Sequence, residues 1–295
     1  MALRTHITER QRRLGVELKR LRLAAGLSIA KGGELIGMGT PHLSHIEAGR
    51  TAIPTERLRK LVHAYGCKND PYIDALVSMS ESNGKGWWTE YRKTFPQFVR
   101  DLAELEFRST SLQSYETLLI PGMLQTESYM RALFRSLVPH TSSDEVEDLV
   151  RFRSARQEVV RRESATTFHA VIHEAALRMM VGGSHVMRGQ LIHLIRMSKN
   201  PGVTIQVLPF DMGVRSWFST PFLILGAVVP ELETVSTEQP SGSLWLRDAE
   251  AIAQYRATFS GLSKNALPPV VANESPELHE ERDSWGLIHH ILYTH

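Results

Sequence analysis

In the segment 40–50, TPHLSHIEAGR, Leu43 and Ile46 form an i, i+3 apolar pair, which leaves Thr40, Pro41, Ser44 and His45 outward on a short helix. Those outward groups suit contact with nucleic-acid bases. A threonine hydroxyl donates or accepts while its methyl can touch thymine, and an imidazole can reach a guanine edge or a phosphate. His42 is expected to pack sideways toward the preceding helix. Arg50, just past Gly49, is placed for a phosphate contact, with Arg12, Arg13 and Lys31 as further cations for the same task. A short exposed helix held by a partner helix is a shape that fits a DNA major groove.

The elements that must hold this helix are legible around it. Leu27, Leu35 and Ile36 mark a preceding short helix, capped by Ser28, and Gly37 and Gly39 bracket Met38 where the chain turns. Upstream, Leu14, Leu18, Leu21 and Ala25 make a helical stripe ended by Gly26. Downstream, Pro54 starts a helix through Leu58, Leu61, Val62 and Tyr65, and Asp70–Pro71 opens a fifth. Gly32 and Gly33 lie inside the second helix, each at a cost of about 1 kcal/mol relative to alanine. Either that helix approaches its neighbours closely or it is loose. Residues 1–66 hold twelve Lys or Arg against five Glu, a net +7, while the whole chain carries +2. A basic first domain on an acidic body suits a polyanion at one end.

Residues 1–80 are therefore expected to be an all-α, five-helix DNA-binding domain, followed by a polar linker over 81–86. From 87 to 265 the pattern turns α+β. Helices are expected over 90–107, 123–138 and 143–163, then around Met187–Ile195 and over 248–262. Strands are expected from 168, over 203–210 and 222–226, and over 232–238. These suggest a small, mostly antiparallel sheet, with 266–295 as a tail. Trp87 and Trp88 could anchor an interface, and Gln125 and Thr126, at the turn after Pro121–Gly122, could meet a ligand or partner backbone.

Catalytic motifs are lacking. His169, His173 and Glu174 lie close together, but HEAAL lacks the second histidine of a zinc HExxH motif, and no phosphate-cradling glycine loop occurs. The chain is not expected to be an enzyme, to bind a metal or to need a cofactor. One cysteine, Cys67, excludes an intrachain disulfide and a multi-cysteine zinc site. Together with the absence of a signal-peptide pattern or a long apolar run, this leads us to expect a cytoplasmic protein.

The order GLS, small residue, glycine turn and LSHIEAGR resembles the Cro/repressor-type (XRE) helix-turn-helix domain. That resemblance implies a buried pair between Arg22 and Glu47, base-reading positions at Thr40, Pro41 and His45, and a homodimer on double-stranded DNA. Ile29 stands where the family usually has a polar residue. Residues 87 to about 265 resemble the long C-terminal domain of actinobacterial WhiJ-like regulators, through GWW (86–88), LAELE (102–106), IPGMLQTESYMRAL (120–133), ARQ (155–157), HEAALR (173–178), VMRGQLIHL (186–194) and VTIQVLPF (203–210). This second resemblance implies a transcriptional regulator that senses a small partner protein, encoded nearby, or a ligand. An antitoxin-like interaction protein that binds such a partner and only autoregulates through DNA is the alternative.

Overall fold

A computed structural model describes residues 3–4, 6–137, 141–161, 166–212, 220–239, 242–271 and 282–294. The chain divides into two compact units, Met1–Leu105 and Glu106–His295. Residues 87–105, grouped with the second region by sequence, thus cluster with the first unit.

The first unit is built from α1 (Glu9–Ala24), α2 (Ile29–Glu34), α3 (Thr40–Glu47), α4 (Thr55–Ala64) and α5 (Asp70–Glu81). A 3-10 turn at Trp87–Tyr91 and the start of α6 (Gln97–Arg108) follow. Local signals set the starts. Thr8 and Gln11 form a reciprocal capping box on α1, Ser28 accepts from Lys31 N on α2, and Asn69 accepts from Tyr72 N on α5. Leu14, Leu18, Leu43, Ile46, Leu58, Leu61, Ile73 and Leu76 fill the core. The helix expected from residue 90 begins only at Gln97.

The second unit is α+β, but its six-stranded sheet is mixed, not mostly antiparallel. The strands are β1 (Ser111–Glu116), β2 (Thr167–His173), β3 (Val203–Leu208), β4 (Phe222–Gly226), β5 (Thr234–Gln239) and β6 (Gly242–Leu246), in the order β3-β2-β1-β4-β5-β6. β1–β2 and β2–β3 pair parallel, and the other three pairings are antiparallel. The parallel half exists because helices intervene: α7 (Glu127–Leu137) and α8 (Ser143–Arg161) connect β1 to β2, and α9 (Glu174–Arg178) and α10 (Ser184–Met197) connect β2 to β3. Such crossovers are what parallel neighbours need. α11 (Ala249–Asn265) packs Ile252, Phe259 and Leu262 onto Tyr115, Val171, Phe222 and Val235.

The segment expected as a tail ends in α12 (Ser284–Thr294), with Trp285, Ile288, Ile291 and Leu292 buried. Ser284 Oγ accepts from Val207 N on β3 at 2.8 Å. Residues 272–281 and 295 of that segment lie outside the described residues.

Candidate nucleic-acid interface

α3 is fixed from beneath. Leu43 and Ile46 are fully or nearly buried, while Thr40, Pro41 and Ser44 are exposed and His45 is half-buried. Gly37, at φ +62°, makes the turn into α3, and Gly49, at φ +71°, ends it. Gly39 has an ordinary negative φ and serves as the N-cap.

Three close approaches explain the glycines of this motif. A Cβ on Gly33 would lie 2.3 Å from Met38 O, and one on Gly32 would lie 2.7 Å from the Tyr65 hydroxyl and 2.8 Å from Arg22 Cδ. Between close approach and looseness, the glycines of α2 therefore serve close approach. Gly15 of α1, which sequence reasoning passed over, meets the end of α3: a Cβ there would sit 2.4 Å from Glu47 O and 2.8 Å from Ile46 O.

Arg22 locks the same junction. Its Nε and Nη2 donate to the two Glu47 oxygens at 2.7 and 2.9 Å, and its Nη1 donates to Leu27 O at 2.7 Å. Both side chains are buried. The fork ties α1, the α1–α2 turn and the last turn of α3 into one geometry, and such a pair specifies arrangement more than it adds stability. The Glu47 hydrogen bonds, opposed by burial, hold the Arg22 guanidinium above its usual pKa range. Burial raises the Tyr65 phenol to about 12, so it is neutral at physiological pH.

The expected cations separate into two groups. Arg50 and Arg12 are exposed, and Arg12 also pairs with Glu9 at 3.2 Å. Lys31 is exposed and pairs with Glu34 at 2.7 Å, a surface contact of small worth. Arg13 is a correction: it is buried against Glu17 at 2.7 Å, because its helical position faces the core, and it cannot reach a phosphate there. His42 is half-buried, with its Nε2 enclosed and without a partner, which removes that nitrogen from base contact. Arg4, counted among the basic residues but not among the expected contacts, donates through Nη1 to Gly49 O at 2.9 Å and through its backbone N to Arg50 O at 2.9 Å. This N-terminal arm caps the loop that carries Arg50.

The partner candidates are mostly committed internally. Trp88 is buried and stacks edge-on to Trp87 at 5.9 Å, while Trp87 is half-buried. Gln125 is buried: it donates to Ile120 O at 2.7 Å and accepts from Arg153 at 2.7 Å. Thr126 caps α7 through Tyr129 N, and its own N donates to Gln190 Oε1. Gln125 and Thr126 thus build the turn instead of offering it to a partner. His169 bonds Gln206 at 2.7 Å, His173 Nδ1 accepts from Ala175 N, and Glu174 binds Arg178 and Phe210 N. Among the described residues no three His, Cys, Asp or Glu side chains are grouped to hold a metal, and no helix is long and apolar enough to cross a membrane.

Residues 13–76 match the family model of a helix-turn-helix domain, which supports DNA binding by the first unit. Residues 99–274 match the family model of a domain of unknown function, DUF5753. No curated protein and no solved structure matches the chain.

Proposed function

The chain belongs to the DUF5753 family, and from that premise, joined to its helix-turn-helix domain, we propose that it is a sequence-specific transcriptional regulator whose second unit receives a signal. The observation that carries the DNA-binding half is α3: apolar residues anchor one side, and Thr40, Pro41, Ser44 and His45 remain at the surface beside the exposed Arg50. Thr40 and His45 read base edges, and Arg50 and Arg12 position the backbone. The protein acts as a homodimer on paired half-sites, without cofactor or catalysis, in the cytoplasm. Its signal is a small partner protein or a ligand, in keeping with the WhiJ-like resemblance.

Selection of bound fragments from genomic DNA, followed by gel shift at two salt concentrations, tests this reading. Affinity is expected to fall steeply with salt, and Arg50→Ala is expected to reduce the log–log slope by about 1. Thr40→Ala combined with His45→Ala is expected to erase operator selectivity while leaving nonspecific binding. Unchanged selectivity would refute the assignment of α3. A stoichiometric protein partner captured by the full chain, with no operator discrimination, would favour the antitoxin-like alternative.

A further inference from the structure

Toward the N-terminal ends of the parallel strands, the sheet face covered by α11 turns polar. Gln113 of β1 and His169 of β2 are partners across the parallel ladder. Two residues on, Tyr115 and Val171 belong to the core under α11, so Gln113 and His169 leave that same face. Ser114 and Glu116 leave the opposite face, on the side of α8, where Arg153 attracts the Glu116 carboxylate. Opposite Gln113 and His169, α11 presents Arg256, Ser260 and Ser263, an i, i+4, i+7 stripe beside the apolar one of Ile252, Phe259 and Leu262. These five polar side chains and Phe259 line a cavity of about 490 Å³, a volume within the range of about 300–1,000 Å³ typical of small-molecule sites.

A closed network builds one wall of it. Gln206 of β3 is buried, and its Nε2 donates to Ser263 O at 3.1 Å and to Leu267 O at 3.0 Å. Two carbonyl acceptors on that nitrogen fix which way the amide faces. Oε1 is therefore the atom that accepts from Ser263 Oγ at 2.6 Å and meets His169 Nε2 at 2.7 Å. An oxygen at that place requires the imidazole proton on Nε2. Nδ1 is then a bare acceptor; it has no partner among the described residues and is not sealed off from solvent. Phe259 packs edge-on to the ring at 5.0 Å and holds its plane. Burial lowers the His169 pKa, against the Gln206 hydrogen bond, so the ring is neutral at pH 7.

The remaining groups decide what can meet that nitrogen. The Gln113 amide makes no hydrogen bond among the described residues, and its polar atoms reach solvent. Arg256 gives its charge to the buried Glu233, through Nε at 2.7 Å and through Nη2. The cavity thus calls for no formal charge. It offers an acceptor on β2 beside a donor on β1, on strands about 4.8 Å apart. The complement is an N–H and a C=O side by side on one molecular edge. A trans amide points those groups in opposite directions, whereas an amide held cis in a ring presents them together.

We propose that this cavity binds a small neutral cyclic amide (a lactam, a cyclic imide or a free nucleobase) whose N–H donates to His169 Nδ1 and whose carbonyl accepts from the Gln113 amide. The site deepens the signal-receiving role proposed above and rests on that reading. It is tested without DNA, so its failure and the failure of operator binding are separate results.

The test is calorimetric titration of the full-length protein with 2-pyridone, glutarimide and uracil, each beside the fully N-methylated form, which keeps the carbonyl and removes the donor. At least one of the three is expected to bind one per chain, and its N-methylated form at least about tenfold more weakly. Nitrogen NMR of isotope-labelled protein, with His169 assigned against His169→Asn, is expected to show the Nε2–H tautomer in the free protein. The Nδ1 resonance is expected to move on binding, as that atom accepts a hydrogen bond. Gln113→Met breaks no hydrogen bond of the fold; it is expected to keep the melting point and to weaken binding by about tenfold. Failure of all three compounds to bind, equal binding of the N-methylated forms, an unmoved Nδ1 resonance, or unchanged affinity in Gln113→Met would overturn the proposal.

Discussion

Gly15→Ala offers a sharp test of how α3 is held. The new methyl would sit 2.4 Å from Glu47 O and 2.8 Å from Ile46 O, both backbone atoms that cannot rotate aside. Restoring an ordinary contact requires the end of α3 to move by roughly 1 Å. Alanine gains about 1 kcal/mol of helix propensity over glycine, but overpacking typically costs about 1–3 kcal/mol, and here the Arg22–Glu47 fork resists the shift. The net expectation is destabilisation of the first unit by about 1–2 kcal/mol, or a melting point lower by about 5–10 °C. The displaced recognition helix should also lose at least about tenfold in operator affinity, the worth of one misaligned base contact. Gly189→Ala in α10 is the matched control. It has the same chemistry in a helix with no atom within 4 Å of the new Cβ, and it should stabilise by about 0.5–1 kcal/mol. Calorimetry and gel shift on the two variants provide the assay. If Gly15→Ala stabilises the first unit as Gly189→Ala does the second, the close approach of α1 and α3 is wrong.

Glu47→Gln leaves the buried Arg22 charge with Leu27 O alone of its present acceptors in full, and should cost about 3 kcal/mol in denaturant unfolding; a loss below about 0.5 kcal/mol would refute the locking role. His169, His173 and His193 are held below the ordinary histidine range by burial, aided at His193 by Arg161 and Arg196. The unfolded chain therefore takes up protons near pH 6.5 that the folded unit refuses, so stability is present above about pH 6.5 and should fall as pH drops toward 5. Glu116 acts in the opposite sense: raised to about 8, it contributes stability that is lost as pH rises through 8. Thermal melts of the wild type should consequently decline from pH 7 to 8.5 by on the order of 1 kcal/mol, and those of Glu116→Gln should not. Parallel profiles on that limb would contradict an enclosed, protonated Glu116.

Local signals made the first unit readable. Caps at Thr8, Ser28 and Asn69, and glycine stops at Gly26, Gly49 and Gly66, lie within a few residues of the ends they set. Which cations face solvent was less legible. Arg12 and Arg13 are neighbours in sequence, yet a 100° turn of α1 sends one to the surface and the other to Glu17. In the second unit, β3 and β4 announced themselves by apolar content, β5 far more weakly with Val235 as its one apolar residue, and α12 was hidden because its apolar periodicity lies in what read as a tail. The larger miss was β1. Four of the six residues of its sequence SLQSYE are polar and it was given no strand, although it is central in the sheet and carries the register on both sides. Without β1, α7 and α8 had no strand to cross from; β2, the helix at Met187–Ile195 and β3 were all expected, yet they were read into a mostly antiparallel sheet and not as a parallel crossover.

The polarity that concealed β1 has a physical reason. Along the β3 and β2 half of the α8-side face the residues are Val203, Ile205, Val207, Phe168, Ala170 and Ile172, all buried and apolar. On β1 and β5 the same face carries Ser114, Glu116, Ser236 and Glu238, beside Leu112 of β1 and Leu223 and Leu225 of the intervening β4. The change begins at β1, the strand that pairs parallel with β2 and antiparallel with β4. Glu116 ends β1. A strand that puts Ser114 and Glu116 on this face and Gln113 on the other loses the apolar alternation by which strands are recognised.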